Sequence, residues 1–359
     1  MAEVTSLPPG CFPTMITPMA EDGAIDFKRV RTLTEWYIEA GCTGLFANCL
    51  SSEMFNLTDE EQLELTKVVY EQTNKRAVVV STGTGLNKSI EEQAEHIKRI
   101  AGVSDAVVVV VNQLAKADES DEVWKANVQK LLDLTPGIPL GLYECPKPYH
   151  RLLAPATLAW AAATGRFFFH KDTCCKSQPI REKLQALALL DKAVPFRFYN
   201  ANVATLRMSI QEGGHGFSGI SANFYPHLLV WLCANAGDAR AAEVQAHLSV
   251  FENVVADTYP RSAKRYQQIF APLQGPEGTR VADETYTSVK TNDSLSLSLS
   301  LPFSLSLSHT HTHSLSLSLS LLPTKPIHSL SLSLSLSLSL SLSLSLFPHT
   351  HSLSCKDFD

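Results

Sequence analysis

The run Ala106-Val107-Val108-Val109-Val110-Val111 decides how this sequence folds. Six apolar residues in succession, five of them valine, leave no polar face. A strand built from them is covered on both sides, as in a parallel sheet enclosed by helices. The run is short for a buried helix, and its β-branched side chains favour extended backbone. Working outward, helical patterns flank it at 88–101, where Ser89 and Glu92 have capping-box spacing, and at 121–133. Similar apolar runs follow at Ile138 to Tyr143 and Phe167-Phe168-Phe169, and another precedes at Ala77-Val78-Val79-Val80. Further helical patterns lie at 59–74, behind Thr58 as N-cap, and at 177–191.

Counted in order, strands are predicted near 13–17, 43–47, 77–81, 106–111, 138–143, 167–171, 195–199 and 215–219, each followed by a helix candidate. Eight βα units with short connections point to an α/β fold of the closed (β/α)8 TIM-barrel type. A Rossmann-type open sheet is the alternative, but Gly83-Thr84-Gly85 is only a fragment of its phosphate loop. Helices at about 226–236, 238–257 and 259–270 are expected outside the barrel. The expected division is a barrel over 1–225, a C-terminal helical extension over 226–293, and a tail over 294–359.

That tail is almost pure Ser-Leu alternation, interrupted by His-Thr-His-Thr-His at 309–313. Alternation offers no helical stripe and no variety of shape to pack, so it reads as low-complexity and disordered. The histidine run has a composition that can bind metal, or is simply part of the repeat.

The formal net charge is −6, and no basic run or helix face stands out, which argues against nucleic acid as partner. No apolar run reaches 18 residues, so no membrane span is expected. The eight cysteines are irregularly spaced without a C-x-x-C, and the first ten residues resemble no targeting segment. Free thiols in a reducing, cytoplasmic compartment are the economical expectation.

Catalytic side chains of such barrels come from the C-terminal ends of the strands. The sixth run ends in His170-Lys171-Asp172-Thr173. A lysine at the end of an aromatic strand is poorly solvated when charged, which lowers its pKa and frees the amine to attack a carbonyl. The alternative is a lysine emerging into solvent. The fifth run ends in Tyr143-Glu144-Cys145-Pro146, where the phenol either shuttles protons or belongs to a core aromatic. His215 is either packed or a substrate contact, and Cys174-Cys175 read as structural thiols.

These pieces together resemble the dihydrodipicolinate synthase / N-acetylneuraminate lyase family of class I aldolases. Pro13-Thr14-Met15-Ile16-Thr17-Pro18, with Asp22-Gly23 and Ile25-Asp26, is similar to its first strand and loop. Gly41 and Gly44 before Leu45-Phe46 are similar to its second strand, and Glu53, Leu57-Thr58 and Glu60-Glu61 to the stretch beyond. Tyr143-Glu144-Cys145-Pro146 matches its Tyr-Asn-x-Pro motif at Tyr and Pro, and His170-Lys171-Asp172-Thr173 its Schiff-base lysine motif. Gly213-Gly214-His215-Gly216 and Gly219-Ile220-Ser221-Ala222-Asn223 are similar to the eighth strand and its loop. The resemblance covers about 8–270.

It implies that Lys171 forms an imine with a 2-keto acid, pyruvate or sugar-derived, and that Tyr143 carries protons. It further implies that Ser51 and backbone N–H groups hold the carboxylate, in a substrate-binding set with Leu50, Ser52 and Ile220, and Asn200, which with Asn202 ends the seventh run, joins the set as a strand-end candidate whose backbone can contact substrate. No cofactor and no metal are expected, since the imine is itself the electron sink. Related barrels form tetramers, which implies a homo-oligomer.

Three departures stand out. Cys49-Leu50-Ser51-Ser52-Glu53 replaces Gly-Thr-Thr-Gly-Glu, so Leu50 removes a hydroxyl from the proton relay. Val111-Asn112-Gln113-Leu114-Ala115 lacks the paired tyrosines of the synthases. Pro148 stands where they carry an arginine clamp, among Lys147, Tyr149, His150 and Arg151. These predict an aldolase or lyase other than dihydrodipicolinate synthase, with no useful condensation of pyruvate with aspartate semialdehyde. A 2-keto-acid dehydratase and a non-catalytic 2-keto-acid-binding relative are the alternatives.

Overall fold

The structure is a computed structural model that describes residues 6–281 apart from 257 and 274; the Ser-Leu tail expected over 294–359 lies outside the described residues. Eight parallel strands form a nearly closed barrel: β1 (Gly10–Cys11), β2 (Gly44–Phe46), β3 (Val78–Thr82), β4 (Ala106–Val110), β5 (Leu140–Tyr143), β6 (Phe167–Asp172), β7 (Arg197–Asn200) and β8 (Gly216–Phe217). The helices between and after them are α1 (Phe27–Glu39), α2 (Asp59–Thr73), α3 (Ile90–Ala101), α4 (Asp121–Leu134), α5 (Pro155–Ala163), α6 (Ser177–Ala188), α7 (Leu206–Gln211), α8 (Pro226–Ala234), α9 (Ala241–Ala256) and α10 (Arg261–Phe270).

The valine run shows why the strands read as they do. Val108 and Val110 point into the barrel, beside Phe12, Phe46 and Phe169. Val107, Val109 and Val111 point outward against Ile97, Trp124 and Leu131 of the surrounding helices. Two apolar layers, one on each side of the sheet, therefore require an apolar residue at every position. The helix starts follow the capping chemistry: Thr58 with Glu61, and Ser89 with Glu92, form reciprocal capping boxes.

The first strand lies earlier than the expected 13–17. β1 pairs with β8 at Gly10 and Cys11, while Thr14 makes only an isolated bridge to Phe46. Proline has no N–H to donate, and it is the carbonyl of Pro13 that accepts from Phe46 N, while Met15 N donates to Phe46 O. The segment thus touches β8 first and β2 afterwards, which draws the barrel together. A Cβ on Gly216 would lie 1.8 Å from the Gly10 carbonyl oxygen, so only glycine permits this approach.

α8 packs on β1 and β8, and α9 lies over the turns that follow β7 and β8. Among the described residues no helix is long and apolar enough to cross a membrane. Cys11, Cys42, Cys49, Cys145, Cys174 and Cys233 form no disulfide, whereas Cys175 is disulfide-bonded and departs from the expected set.

Residues 275–281 cross the loops after β1 and β2. Glu53, buried and left-handed (φ 66°), forms an ion pair with the buried Lys264 of α10 and accepts from Arg280 N at 2.6 Å and Val281 N at 3.2 Å. Arg280 also forks onto Glu61, at 2.6 and 2.8 Å. Removing one partner of a buried pair leaves an uncompensated charge. Lys264→Met is therefore expected to destabilise the protein by about 3–5 kcal/mol in urea unfolding. Adding Glu53→Gln should recover most of that loss. A Lys264→Met variant as stable as wild type would show that the pair contributes nothing, and a double variant no more stable than the single one that the unpaired charge is not the cause of the loss.

Candidate active site

β5 and β6 are paired in a register that sets Tyr143 beside Lys171, and β7 sets Tyr199 on the other side of it. Tyr143 is 2% and Lys171 4% exposed, so neither emerges into solvent. The Lys171 Nζ stands 4.3 Å from the centre of the Tyr143 ring and 6.0 Å from that of Phe46, within cation–π range. Below them the barrel is filled by aromatic rings: Phe12 and Tyr199 have centroids 4.5 Å apart, Phe169 stacks on Tyr199 at 4.9 Å, and Phe46 meets Tyr143 edge-on at 5.7 Å.

Strict alternation would place Phe167, Phe169 and Lys171 on one face. The register slips instead: Leu140 pairs with Phe167 but Gly141 with Phe169, so Phe168 is an extra residue in β6. Phe167 turns outward to the helix layer, while Phe169 and the half-buried Phe168 belong to the inner cluster. Of the three phenylalanines of β6, Phe168 and Phe169 thus join the inner cluster and Phe167 does not.

The other expected site residues lie on loops at the same end of the barrel. Leu50 and Ser51 occupy the turn after β2; Ser51 is buried, and Leu50 packs against the inner aromatic cluster. The Ser52 hydroxyl is engaged inside the loop, donating toward Met15 O at 2.6 Å and Ala47 O at 3.0 Å and accepting from Cys49 N. Asn200 is likewise engaged in its own turn, with Thr205 Oγ1 at 2.9 Å and Asn202 N at 2.8 Å. Ile220 opens the turn after β8, and its carbonyl accepts from the Asn223 side chain. The structure thus brings Tyr143 and Lys171 together. For Ser52 and Asn200 it shows polar groups already satisfied by the fold.

His215 precedes β8, at the end of the barrel away from the lysine, and its Nδ1 accepts from Phe198 N at 3.1 Å. Burial, helped by Arg197, lowers its pKa to about 4. This is the packed histidine of the two alternatives.

The sequence reading missed a polar cluster behind the site. Glu144, His170 and Asp172 are fully buried and present ligand-type atoms within 4.8 Å of one another. The Lys183 ammonium lies 2.6 Å from both carboxylates, so a cation of the chain's own already fills the place a metal would take. The only sequence signal was the carboxylate that immediately follows each of Tyr143 and Lys171.

A second buried carboxylate, Glu252 of α9, joins the turns after β7 and β8. It accepts from Ser221 Oγ at 2.9 Å, Val203 N at 2.9 Å and Asn202 Nδ2 at 3.1 Å. Burial raises its pKa to about 7, against the opposing pull of the Val203 N–H and the Ser221 hydroxyl. An unfolded glutamate titrates near ~4.3, so the folded state holds this proton more tightly between the two values. That contribution, on the order of 4 kcal/mol, is fully present below the unfolded pKa and is lost as pH rises through the folded one. Glu252→Gln is expected to gain several degrees in Tm over wild type between about pH 5 and pH 8. Parallel Tm–pH curves for the two proteins would rule this out.

A (β/α)8 barrel with a buried lysine and tyrosine side by side at the C-terminal ends of β6 and β5 has the architecture of the aldolase barrels. Residues 8–271 match the model of the dihydrodipicolinate synthetase family, and the chain belongs to that family. It is 30% identical over 277 residues to the 4-hydroxy-tetrahydrodipicolinate synthase of Ralstonia nicotianae, spanning 74% of this chain and 89% of that protein. Dihydrodipicolinate synthase from Acinetobacter baumannii, in a crystal structure with pyruvate, superposes with a TM-score of 0.67 at 20% identity, covering 79% of this chain and 97% of that one. A prophage protein of the same family from E. coli K12, also in complex with pyruvate, gives a TM-score of 0.67 at 22% identity over 80% of this chain and 97% of that one.

The exclusion of dihydrodipicolinate synthase drawn from the three departures is overturned. Relatives named 4-hydroxy-tetrahydrodipicolinate synthase recur at about 30% identity, from Ralstonia nicotianae to Leptothrix cholodnii. The physical reason lies in the loops. Single aligned positions were compared as though the loops were rigid, yet loops rebuild their contacts with other side chains. Asn112 ties the turn after β4 to the loop after β5, donating to the carbonyls of Cys145, Lys147 and Tyr149. Tyr149 donates back to Asn112 O at 2.9 Å. Pro148 thus sits in a loop tied by Asn112 and Tyr149, among the basic side chains of Lys147 and Arg151.

Proposed function

We propose that this chain is a class I aldolase or lyase in which Lys171 forms a Schiff base with pyruvate or a related 2-keto acid and Tyr143 moves the protons. The single observation that carries the reading is the placement of Lys171 Nζ, buried, 4.3 Å from the centre of the Tyr143 ring at the barrel mouth. An amine held there attacks the keto carbon, and water leaves as the imine forms. The protonated imine draws electrons from the neighbouring carbon, so a methyl proton departs and an enamine remains. That enamine attacks an aldehyde, whose oxygen takes a proton from the tyrosine side. Hydrolysis of the imine returns the lysine. Pyruvate in the complexes of two relatives supports the choice of keto acid, and the relatives' names support condensation over cleavage. Aspartate semialdehyde is on these grounds the first acceptor to assay.

The test is borohydride reduction with pyruvate and with longer 2-keto acids, followed by intact mass. One pyruvate-derived addition per chain is expected. A protein that acquires no adduct from any 2-keto acid is instead the non-catalytic relative.

A further inference from the structure

Tyr143 and Lys171 are each followed by a carboxylate, and the pleat turns Glu144 and Asp172 to the opposite side of the sheet, toward α6. Lys183 of α6 meets both, its Nζ 2.6 Å from Glu144 Oε1 and 2.6 Å from Asp172 Oδ2, with all three side chains buried. Other groups satisfy the remaining acceptor sites. Glu144 takes Leu153 N at 2.8 Å and Thr173 N at 3.3 Å, and Asp172 takes Cys174 N at 3.1 Å and Cys174 Sγ at 3.0 Å. His170 faces the same cluster, its Nε2 4.0 Å from Glu144 and 3.9 Å from Asp172, beyond hydrogen-bond length, with Phe196 and Phe198 against its ring.

We propose that Lys183 is a positioning residue for the reaction: one buried ammonium ties the carboxylate next to Tyr143 to the carboxylate next to Lys171, and so fixes the spacing of proton carrier and nucleophile. The proposal rests on the reading of Lys171 and Tyr143 given above. A buried ionic cluster is a poor source of stability, because desolvating the charges offsets most of their attraction. What a cation shared by two acids does supply is a defined separation of the two strand ends, and a reaction that moves a proton between fixed groups is sensitive to that separation. The charges are mutually dependent. Burial alone would push the Asp172 carboxyl up, but Lys183 and then His170 hold it well below the usual carboxylate range. Burial alone would lower the Lys183 ammonium, but Asp172 and Glu144 hold it well above its ordinary value. Burial and Asp172 push the Cys174 thiol up, so it enters the cluster as a neutral donor.

The experiment follows exchange of the pyruvate methyl protons for deuterium by NMR, which reports imine and enamine formation without an acceptor. Two variants are compared with wild type: Lys183→Met, and the charge-free triple Glu144→Gln/Asp172→Asn/Lys183→Met, which leaves no uncompensated buried charge. The triple variant is expected to trap one pyruvate per chain at saturation, with KM changed less than about threefold, while kcat for exchange falls about 10²-fold. Lys183→Met is expected to lose as much near pH 8 and to recover part of it toward pH 6, as one carboxylate takes a proton and hydrogen-bonds the other. A triple variant with wild-type kcat overturns the proposal. So does a Lys183→Met pH profile parallel to wild type, which decides the matter if the triple variant fails to fold. Exchange that persists in Lys171→Ala, or a wild type that traps no pyruvate, overturns the imine reading itself, and the proposal with it.

Discussion

Lys171→Ala, incubated with pyruvate and borohydride, is expected to acquire no adduct and to lose turnover by a factor on the order of 10⁴–10⁶, as removal of a covalent nucleophile does elsewhere. The chain has many lysines, but the described structure gives this one a distinctive setting. Lys171 is 4% exposed at a strand end, above Phe46 and Phe169 and beside Tyr143. Lys183 and Lys264 are as deeply buried, in ion pairs with Glu144 and Asp172 and with Glu53 respectively. Lys171→Arg is the sharper variant. It keeps a positive charge at the site, but a guanidinium stays protonated and forms no imine, so it should be equally inactive. Should the adduct persist in Lys171→Ala, another lysine is the nucleophile and the site has been misplaced.

Tyr143→Phe is expected to trap pyruvate as wild type does, yet to turn over ~10²–10⁴-fold more slowly, the usual range for removing a general acid–base group. The substitution preserves what the ring does for the fold: its edge-on contact with Phe46 at 5.7 Å and its place in the inner cluster. Only the hydroxyl is lost. Stability should therefore fall by no more than the worth of one hydrogen bond, about 1 kcal/mol, while kcat falls far more, a separation that a purely packed tyrosine would not give. A rate within about threefold of wild type would make Tyr143 a core aromatic and move proton transfer to another group.

Much of the fold was legible because its signals are local. The valine run of β4, the N-cap Thr58 before α2 and the capping-box spacing of Ser89 and Glu92 before α3 each depend on a few neighbouring residues. The pairing of Tyr143 with Lys171 was legible through two motifs at the ends of neighbouring strands. The exclusion of synthase chemistry failed for the converse reason. It compared loop positions one at a time, whereas Asn112 and Tyr149 hold the loop after β5 by contacts no local pattern announces.

By itself, then, the sequence determined the alternation of strands and helices, the barrel, and a lysine and tyrosine at adjacent strand ends. Tertiary structure alone decided that β1 begins at Gly10, where β8 approaches, and that the bulge at Phe168 sends Phe167 outward and keeps Phe169 beneath Lys171. It alone brought Lys183 between Glu144 and Asp172, and Lys264 and Arg280 onto the Glu53 loop. Periodicity and capping act over one turn or one pleat, but an ion pair between residues 53 and 264 exists only once the chain has closed on itself, and no spacing along the sequence encodes that distance.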